Sequence, residues 1–254
     1  MEAIDGARRL LARSRRAVAF TGAGVSTASG VPDFRSPGGI WSRYRPVTIQ
    51  EFRASAEARK RYWLYKKETY ADFAQARPNA AHAALARLEA DGRMLGVITQ
   101  NIDGLHQDAG SRKVVELHGT NRRVECLGCG RTGPAAEAQE RLVAGEEVPT
   151  CPSCGEPLKA ATISFGQALR PEVLEEAFAL AREADLLLVL GSSLVVYPAA
   201  VIPEAMAARG APMIIINREP TPLDALAAAA LHGEVECLLP ALVDGTAPGR
   251  TALK

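Results

Sequence analysis

The stretch Val18 to Arg35, VAFTGAGVSTASGVPDFR, decides the fold. Ala17-Val18-Ala19-Phe20 has the apolar character of a short buried strand. Gly22-Ala23-Gly24 follows it, removing side chains where the backbone must turn sharply with its N–H groups outward, ahead of a helix. Amides at a helix start carry partial positive charge, which suits the pyrophosphate of a dinucleotide. The usual G-x-G-x-x-G pattern is incomplete, because Thr27 stands at the third glycine. No carboxylate occurs in Ser42-Arg43-Tyr44-Arg45, about 20 residues on, where a ribose-binding acid is expected. A plain connecting turn is the competing reading of Gly-Ala-Gly alone. Pro32-Asp33-Phe34-Arg35 favours ligand handling by setting an acid, an aromatic and a cation side by side directly after the turn.

Outward from this stretch, the chain repeats one pattern. Ile4, Ala7, Leu10 and Leu11 recur at helical spacing, predicting a first helix against the sheet. Met94–Thr99 reads as a buried strand ending in Gln100-Asn101-Ile102-Asp103-Gly104-Leu105-His106, and Val114–Leu117 as another running into His118-Gly119. Ala161–Phe165, Leu186–Leu190 before Gly191-Ser192-Ser193, and Met213–Ile216 before Asn217-Arg218-Glu219 continue the series. With helical stretches between the later strands, the expectation is an α/β fold: a Rossmann-like, doubly wound parallel sheet with polar residues at its carboxyl edge. Asn217 and Glu219 are candidates for the acid missing after the first turn. Phe52, Tyr62, Trp63, Leu64, Tyr65, Tyr70 and Phe73 lie in a charged, mostly helical background, read as a helical layer with its own apolar seam.

The chain has 254 residues, 47% hydrophobic and 23% charged, enough for one sizeable domain with a smaller appendage. A net charge of +1 disfavours nucleic-acid binding as the main function. No apolar run reaches membrane-span length, and the N-terminus lacks the apolar core of a secretory signal, so a cytoplasmic location is expected.

Cys126-x2-Cys129 and Cys151-x2-Cys154, separated by 21 residues, have the spacing of a zinc site. Each pair is followed by glycine, which lets two sulfurs turn toward one metal. Four thiolates close the tetrahedron, so one structural zinc per chain is expected. Two disulfides or a redox pair are the alternatives. Cys237 reads as a small buried apolar residue. Of the four histidines, His82 reads as structural, His232 has no evident chemistry, and His106 reads equally as a packing, capping or catalytic residue. His118 combines a strand end with a glycine neighbour, and an imidazole there is a candidate general base.

Taken together, Gly22-Ala23-Gly24-Val25-Ser26 with Gly30-Val31-Pro32-Asp33-Phe34-Arg35, Thr99–His106, Glu116-Leu117-His118-Gly119, the four cysteines and Gly191–Pro198 resemble the sirtuins, the NAD-dependent protein deacylases. The resemblance covers nearly the whole chain. It implies an NAD-binding domain of residues 1–40, 76–120 and 160–254. A small domain of 41–75 and 121–159 would join a helical insertion to the zinc module, with NAD and acyl-lysine meeting in the cleft between. It places Gly22, Ala23, Gly24, Arg35, Ser192 and Ser193 along the pyrophosphate and its ribose, Ser26 and Gly191 also on the cofactor, and Asn217 and Glu219 at the adenosine end. Asn101, Ile102 and Asp103 would form the nicotinamide pocket, with Asp33 also on the cofactor and Phe34 over the reacting ribose. His118 would act as general base, Asn101 would share in catalysis, and Gln100 would orient the ribose. Phe165, Gly166, Leu194 and Val195 would grip the peptide as an added strand.

The implied reaction is attack of the acetyl oxygen of acetyl-lysine on C1′ of the nicotinamide ribose as nicotinamide leaves, giving lysine and O-acetyl-ADP-ribose. The implied partners are acyl-lysine proteins or peptides, with no membrane or nucleic acid. The oligomeric state is open, with a monomer as the working expectation. Gln167 stands where the family commonly has Glu, and Ser192 where Thr is usual. The Tyr-x-x-Arg pair of acidic-acyl sirtuins is absent, Tyr62-x-x-Tyr65 and Trp63-x-x-Lys66 standing in its region. The rival readings are a dehydrogenase, which leaves the zinc module unexplained, a mono-ADP-ribosyltransferase or other-acyl deacylase on the same scaffold, and a zinc-ribbon nucleic-acid adaptor.

Overall fold

A computed structural model describes residues 2–32 and 39–245. The chain begins with α1 (Glu2–Arg13), β1 (Ala17–Thr21) and two 3-10 turns (Ala23–Val25, Thr27–Ser29). Next come α2 (Ile40–Arg43), α3 (Ile49–Ala54), α4 (Ala56–Gln75), α5 (Ala80–Ala90), β2 (Met94–Thr99), α6 (Leu105–Asp108) and β3 (Val114–Glu116). β4 (Gly119–Cys126), β5 (Thr132–Pro134), α7 (Ala135–Val143) and β6 (Leu158–Thr162) follow. The chain returns through α8 (Pro171–Glu183), β7 (Leu186–Leu190), α9 (Val201–Ala208), β8 (Met213–Asn217), a 3-10 turn (Asp224–Leu226), β9 (Ala229–His232) and α10 (Val235–Asp244).

The large sheet has six strands in the order β3-β2-β1-β7-β8-β9, every pair parallel. Its strands are buried on both faces, which is why β1 and β7 are continuous apolar runs rather than alternating ones. The two-residue period still sorts them. Ala17, Ala19, Leu186, Leu188 and Leu190 join the core shared with Leu11, Leu85 and Leu239 of α1, α5 and α10. Val18, Phe20, Leu187 and Val189 face Ala177, Ile202 and Met206 of α8 and α9. The order of connection reverses between β1 and β7, so their carboxyl ends flank the switch point where sheets of this class open a crevice.

The second sheet, β5-β4-β6, is antiparallel. Here the structure corrects the reading of Ala161–Phe165 as a further strand of the parallel sheet. The strand is β6, it ends at Thr162, and it pairs with β4. Val124 and Leu158 of this sheet pack with Phe52, Tyr62 and Trp63, and the Trp63 indole donates to the Leu158 carbonyl at 3.1 Å. The helical seam and the cysteine module therefore share one core.

Candidate active site

The turn after β1 differs from the expected glycine turn opening a helix. Two short 3-10 turns follow it, and two of its amides are consumed internally. Gly22 donates to the Leu190 carbonyl at 3.0 Å and Gly24 to the Gly191 carbonyl at 2.9 Å. The glycines serve close approach of two backbones. A Cβ on Gly22 would stand 2.7 Å from the Gly191 oxygen, and one on Gly24 would stand 2.8 Å from the Gly191 Cα. The β1 and β7 turns are thus locked together at the switch point.

A cleft of about 870 Å³ opens above this junction. It is lined by Gly22, Ala23, Gly24, Gln100, Asn101, Ile102, His118, Gly191, Ser192, Ser193, Asn217 and Glu219 of the expected cofactor set, and by Phe165, Gly166 and Val195 of the expected peptide set. Asp33, Phe34 and Arg35 lie outside the described residues. Leu194 is buried in the sheet core, and its backbone sits at φ 57, a left-handed conformation rare for a branched side chain. That turn leaves its neighbour Val195 exposed to the cleft. Leu194 can therefore offer a peptide its backbone but not its side chain.

His118 hydrogen-bonds through Nδ1 to the Gln100 carbonyl at 2.9 Å. A carbonyl only accepts, so Nδ1 carries the proton and the lone pair resides on Nε2. Gln100 in turn donates through Nε2 to the Ser192 hydroxyl at 2.8 Å, tying the β2 end to the β7 turn. Ser192 also accepts from the Leu194 amide at 3.3 Å. Gly119, at φ 70, allows the next strand to pass close by, since a Cβ there would meet the Ala161 carbonyl oxygen at 2.1 Å. The glycine neighbour is thus a packing requirement of β4 against β6, which also holds His118 in place: Ile163 donates to the His118 carbonyl at 2.8 Å.

Ser26 and Asp103 of the expected cofactor set do not line the cleft; they belong to a buried polar cluster beneath it. Ser26 donates to Asp103 at 2.8 Å and accepts from the Asn101 side-chain amide at 3.0 Å. The other Asp103 oxygen accepts from the Leu105 amide at 2.9 Å. His82 Nδ1 accepts from the Asn79 amide at 3.3 Å, so its protonated Nε2 faces Ser26 at 3.4 Å. Thr21 donates to Thr99 at 2.8 Å, so it must accept from His106 Nε2, 3.0 Å away. The buried Nδ1 of His106 is then left with a lone pair and no partner. Its place in this packed layer, 4.8 Å from the His82 ring, settles His106 as a packing residue. Burial, then the charge of His82, pushes the His106 pKa down to about 3. Because the folded value lies below the unfolded one, near 6.5, this contribution to stability is complete above pH 6.5 and declines as pH falls toward 3. Wild-type Tm should fall by roughly 3–5 °C per pH unit between pH 6 and 5, and His106→Leu should show a shallower slope. Equal slopes by scanning fluorimetry would disprove this origin.

Four thiols gather at the far end of the second sheet, all within 4.8 Å of one another. Cys126 and Cys154 are 3.4 Å apart and Cys129 and Cys151 3.7 Å, near the ~3.8 Å edge of a tetrahedron with Zn–S of about 2.3 Å and far from a disulfide. The two C-x2-C turns are alike: Gly130 donates to the Cys126 carbonyl at 3.0 Å, and Gly155 to the Cys151 carbonyl at 2.9 Å. This donor set fits one zinc with no open position, whereas Cys237, expected to be buried, is exposed on α10.

Trp41, Tyr44, Tyr65 and Lys66 also line the cleft, as do Gly233, Glu234 and Val235 at the start of α10. Tyr65 and Lys66 stand in the region expected to face the acyl chain; Trp41, Tyr44, Gly233, Glu234 and Val235 were not singled out for the site from sequence, because aromatic residues on helices read first as core. Nothing local sets Gly233 beside β8; the Gly233 amide reaches the Asn217 carbonyl only in the fold.

A glycine-locked switch point, a histidine at a strand end and a four-thiol module define a nucleotide-binding α/β protein with a metal-stapled insertion. The Sir2 family model matches residues 22–198, and the chain belongs to the Sir2 family. It is 45% identical over 232 residues to NAD-dependent protein deacetylase 2 of Streptomyces coelicolor, covering 89% of this chain and 95% of that one. It is 44% identical over 243 residues to the NAD-dependent protein deacylase of Thermococcus kodakarensis, covering 93% of each. Among solved structures, a Sir2 complex with a p53 peptide and NAD+ superposes with a TM-score of 0.85 at 38% identity, covering 93% of this chain and 95% of that one.

Proposed function

We propose that this chain is an NAD-dependent protein lysine deacetylase, which transfers the acetyl group of acetyl-lysine to ADP-ribose and releases nicotinamide. The observation that carries the reading is the convergence of His118, Gln100, Asn101 and Ser192 in one cleft at the β1/β7 switch point. The family relatives named for NAD-dependent deacetylation support it. In this reading His118 Nε2 takes a proton from a ribose hydroxyl, with the Gln100 carbonyl holding its tautomer. Asn101 and Ile102 meet the nicotinamide from the cleft wall, with Asp103 and Ser26 beneath them fixing the Asn101 side chain. Ser192, Ser193 and the Gly22–Gly24 turn meet the pyrophosphate and its ribose. Asn217, Glu219 and the start of α10 meet the adenosine. The peptide lies between Phe165-Gly166 and Val195. The division into residues 1–40, 76–120 and 160–254 against 41–75 and 121–159 is part of the same proposal, and the two separate sheets support it. The test is mass spectrometry of an acetyl-peptide panel with and without NAD: O-acetyl-ADP-ribose is the expected product, and ADP-ribosylated protein without it would indicate the transferase alternative.

Acyl choice turns on Lys66. Its ammonium is buried, donates to Asn121 Oδ1 at 2.7 Å and lies 5.0 Å from the Tyr65 ring centre. Burial, reinforced by the charge of Lys159, brings its pKa down to about 7. A succinyl carboxylate would have to displace Asn121 and meet a point charge in place of a guanidinium fork. Acetyl-lysine is therefore expected to have the higher kcat/KM in a common peptide, with Lys66→Met scarcely changing it. Since the folded pKa lies below the unfolded one, the Lys66 ammonium costs stability at neutral pH and ceases to do so toward pH 10.5. Lys66→Met should then raise Tm by roughly 2–6 °C at pH 7. Faster turnover of succinyl-lysine, abolished by Lys66→Met, would make Lys66 the acyl reader instead.

A further inference from the structure

The cleft wall built by residues 41–66 bears positive charge that neither the nucleotide contacts nor proton transfer at His118 employs. Arg43 ends α2, Arg45 follows it, and Arg61 lies on the cleft side of α4; all three are exposed and line the cleft. Arg45 pairs with Glu51 at 2.7 Å, yet 77% of its side chain stays exposed. Arg43 lies 5.7 Å from the Tyr44 ring centre, and neither it nor Arg61 forms an ion pair among the described residues. The acids that line the cleft among those residues, Glu219 and Glu234, stand at its adenosine end, where Glu234 already pairs with Arg218 at 2.9 Å. Gln167 adds no charge to the loop beyond Phe165.

This basic wall adjoins the peptide edge. The Trp41 ring packs 5.6 Å from Phe165, the Ile49 amide donates to the Phe165 carbonyl at 3.0 Å, and Gln50 donates to the Gly166 carbonyl at 3.1 Å. Exposed Leu64, Val195 and Tyr197 complete an apolar mouth that the guanidinium groups fringe. Lys66 is buried deeper, so the arginines face what flanks the acyl-lysine rather than the acyl chain.

We propose that Arg43, Arg45 and Arg61 form a reading surface for aspartate and glutamate residues flanking the acyl-lysine, so that this enzyme selects acidic protein segments. The proposal rests on the deacetylase reading and adds the substrate class to it. Screened surface charges act chiefly through encounter and partner choice, so the preference must weaken with salt.

The test uses two acetyl-lysine peptides that differ only in carrying Asp/Glu or Lys/Arg flanks. The acidic peptide is expected to have about tenfold higher kcat/KM at low salt, shrinking to about twofold or less near 0.5 M salt. Arg43→Glu/Arg61→Glu should invert the ratio, whereas Arg9→Glu/Arg13→Glu, the same net charge change on the exposed face of α1, should preserve it. Equal use of both peptides at low salt overturns the proposal, as does a ratio unmoved by the cleft variant or moved equally by the control. A raised KM for NAD in the cleft variant with the peptide ratio intact would assign the arginines to the nucleotide and overturn it too. If no peptide releases nicotinamide from NAD, the deacetylase reading fails; fluorescence anisotropy of the same labelled peptides then decides the charge preference separately through the ratio of Kd values.

Discussion

His118→Ala is expected to lower NAD-dependent deacetylation at least about 10²-fold, the loss typical of a removed general base, while Tm and NAD affinity stay near wild type. The side chain is only half-buried, and its Nδ1 bond goes to the backbone carbonyl of Gln100, which the fold holds without it. The backbone around it is held independently by the Leu117 amide on the Thr99 carbonyl and by the Ile163 amide on the His118 carbonyl. Calorimetric NAD titration, thermal melting and peptide turnover measured together separate a chemical defect from a structural one. Turnover near wild type would remove His118 from the reaction, and a collapsed Tm would make it a structural residue.

Cys126→Ala or Cys154→Ala is expected to abolish soluble folding together with the metal. Cys126 ends β4 within the core that holds Phe52, Trp63, Val124 and Leu158, so the site closes against the same side chains that anchor the helical insertion. Structural zinc contributes about 10–16 kcal/mol of apparent binding energy in small zinc domains, more than such a module can derive from its own core. The consequence reaches the cleft, because β4 begins at Gly119, beside His118, and pairs there with Thr162 of β6. Elemental analysis should give one zinc per chain, and chelation should lower activity in step with loss of structure. A zinc-free preparation that is folded and fully active would refute the structural role.

Much of the site could be read in advance, because it sits at strand ends and strand ends are local. Buried parallel strands are short apolar runs, and the residues directly after them must lie at one edge of the sheet. Gln100-Asn101, His118, Gly191-Ser192 and Asn217 therefore followed from the linear pattern. The cysteine spacing carried its geometry for the same reason, since each C-x2-C turn is complete within a few residues. Leu158–Thr162 was not legible as a member of the small sheet, because a five-residue apolar strand does not state which sheet it joins. That choice is made by its pairing with β4, nearly 40 residues earlier. β9 was missed because Ala229–Leu231 lies in an alanine-rich run, and only the vacant edge of β8 makes it a strand.

By itself, the sequence determined the doubly wound class, the zinc module and the chemistry-bearing strand ends, because short-range periodicity and spacing encode all three. The tertiary structure decided how those groups are tuned. Gly22 and Gly24 proved necessary because another backbone passes within contact distance, a fact invisible without Gly191 in place. The tautomers of His106 and His118 are set by partners from separate elements, whereas that of His82 is set by the N-cap of its own helix, and Lys66 loses affinity for its proton because burial, then the charge of Lys159, disfavours the ammonium. Proton affinity and side-chain orientation depend on desolvation and on donors brought together from distant parts of the chain, and those exist only once the chain has packed.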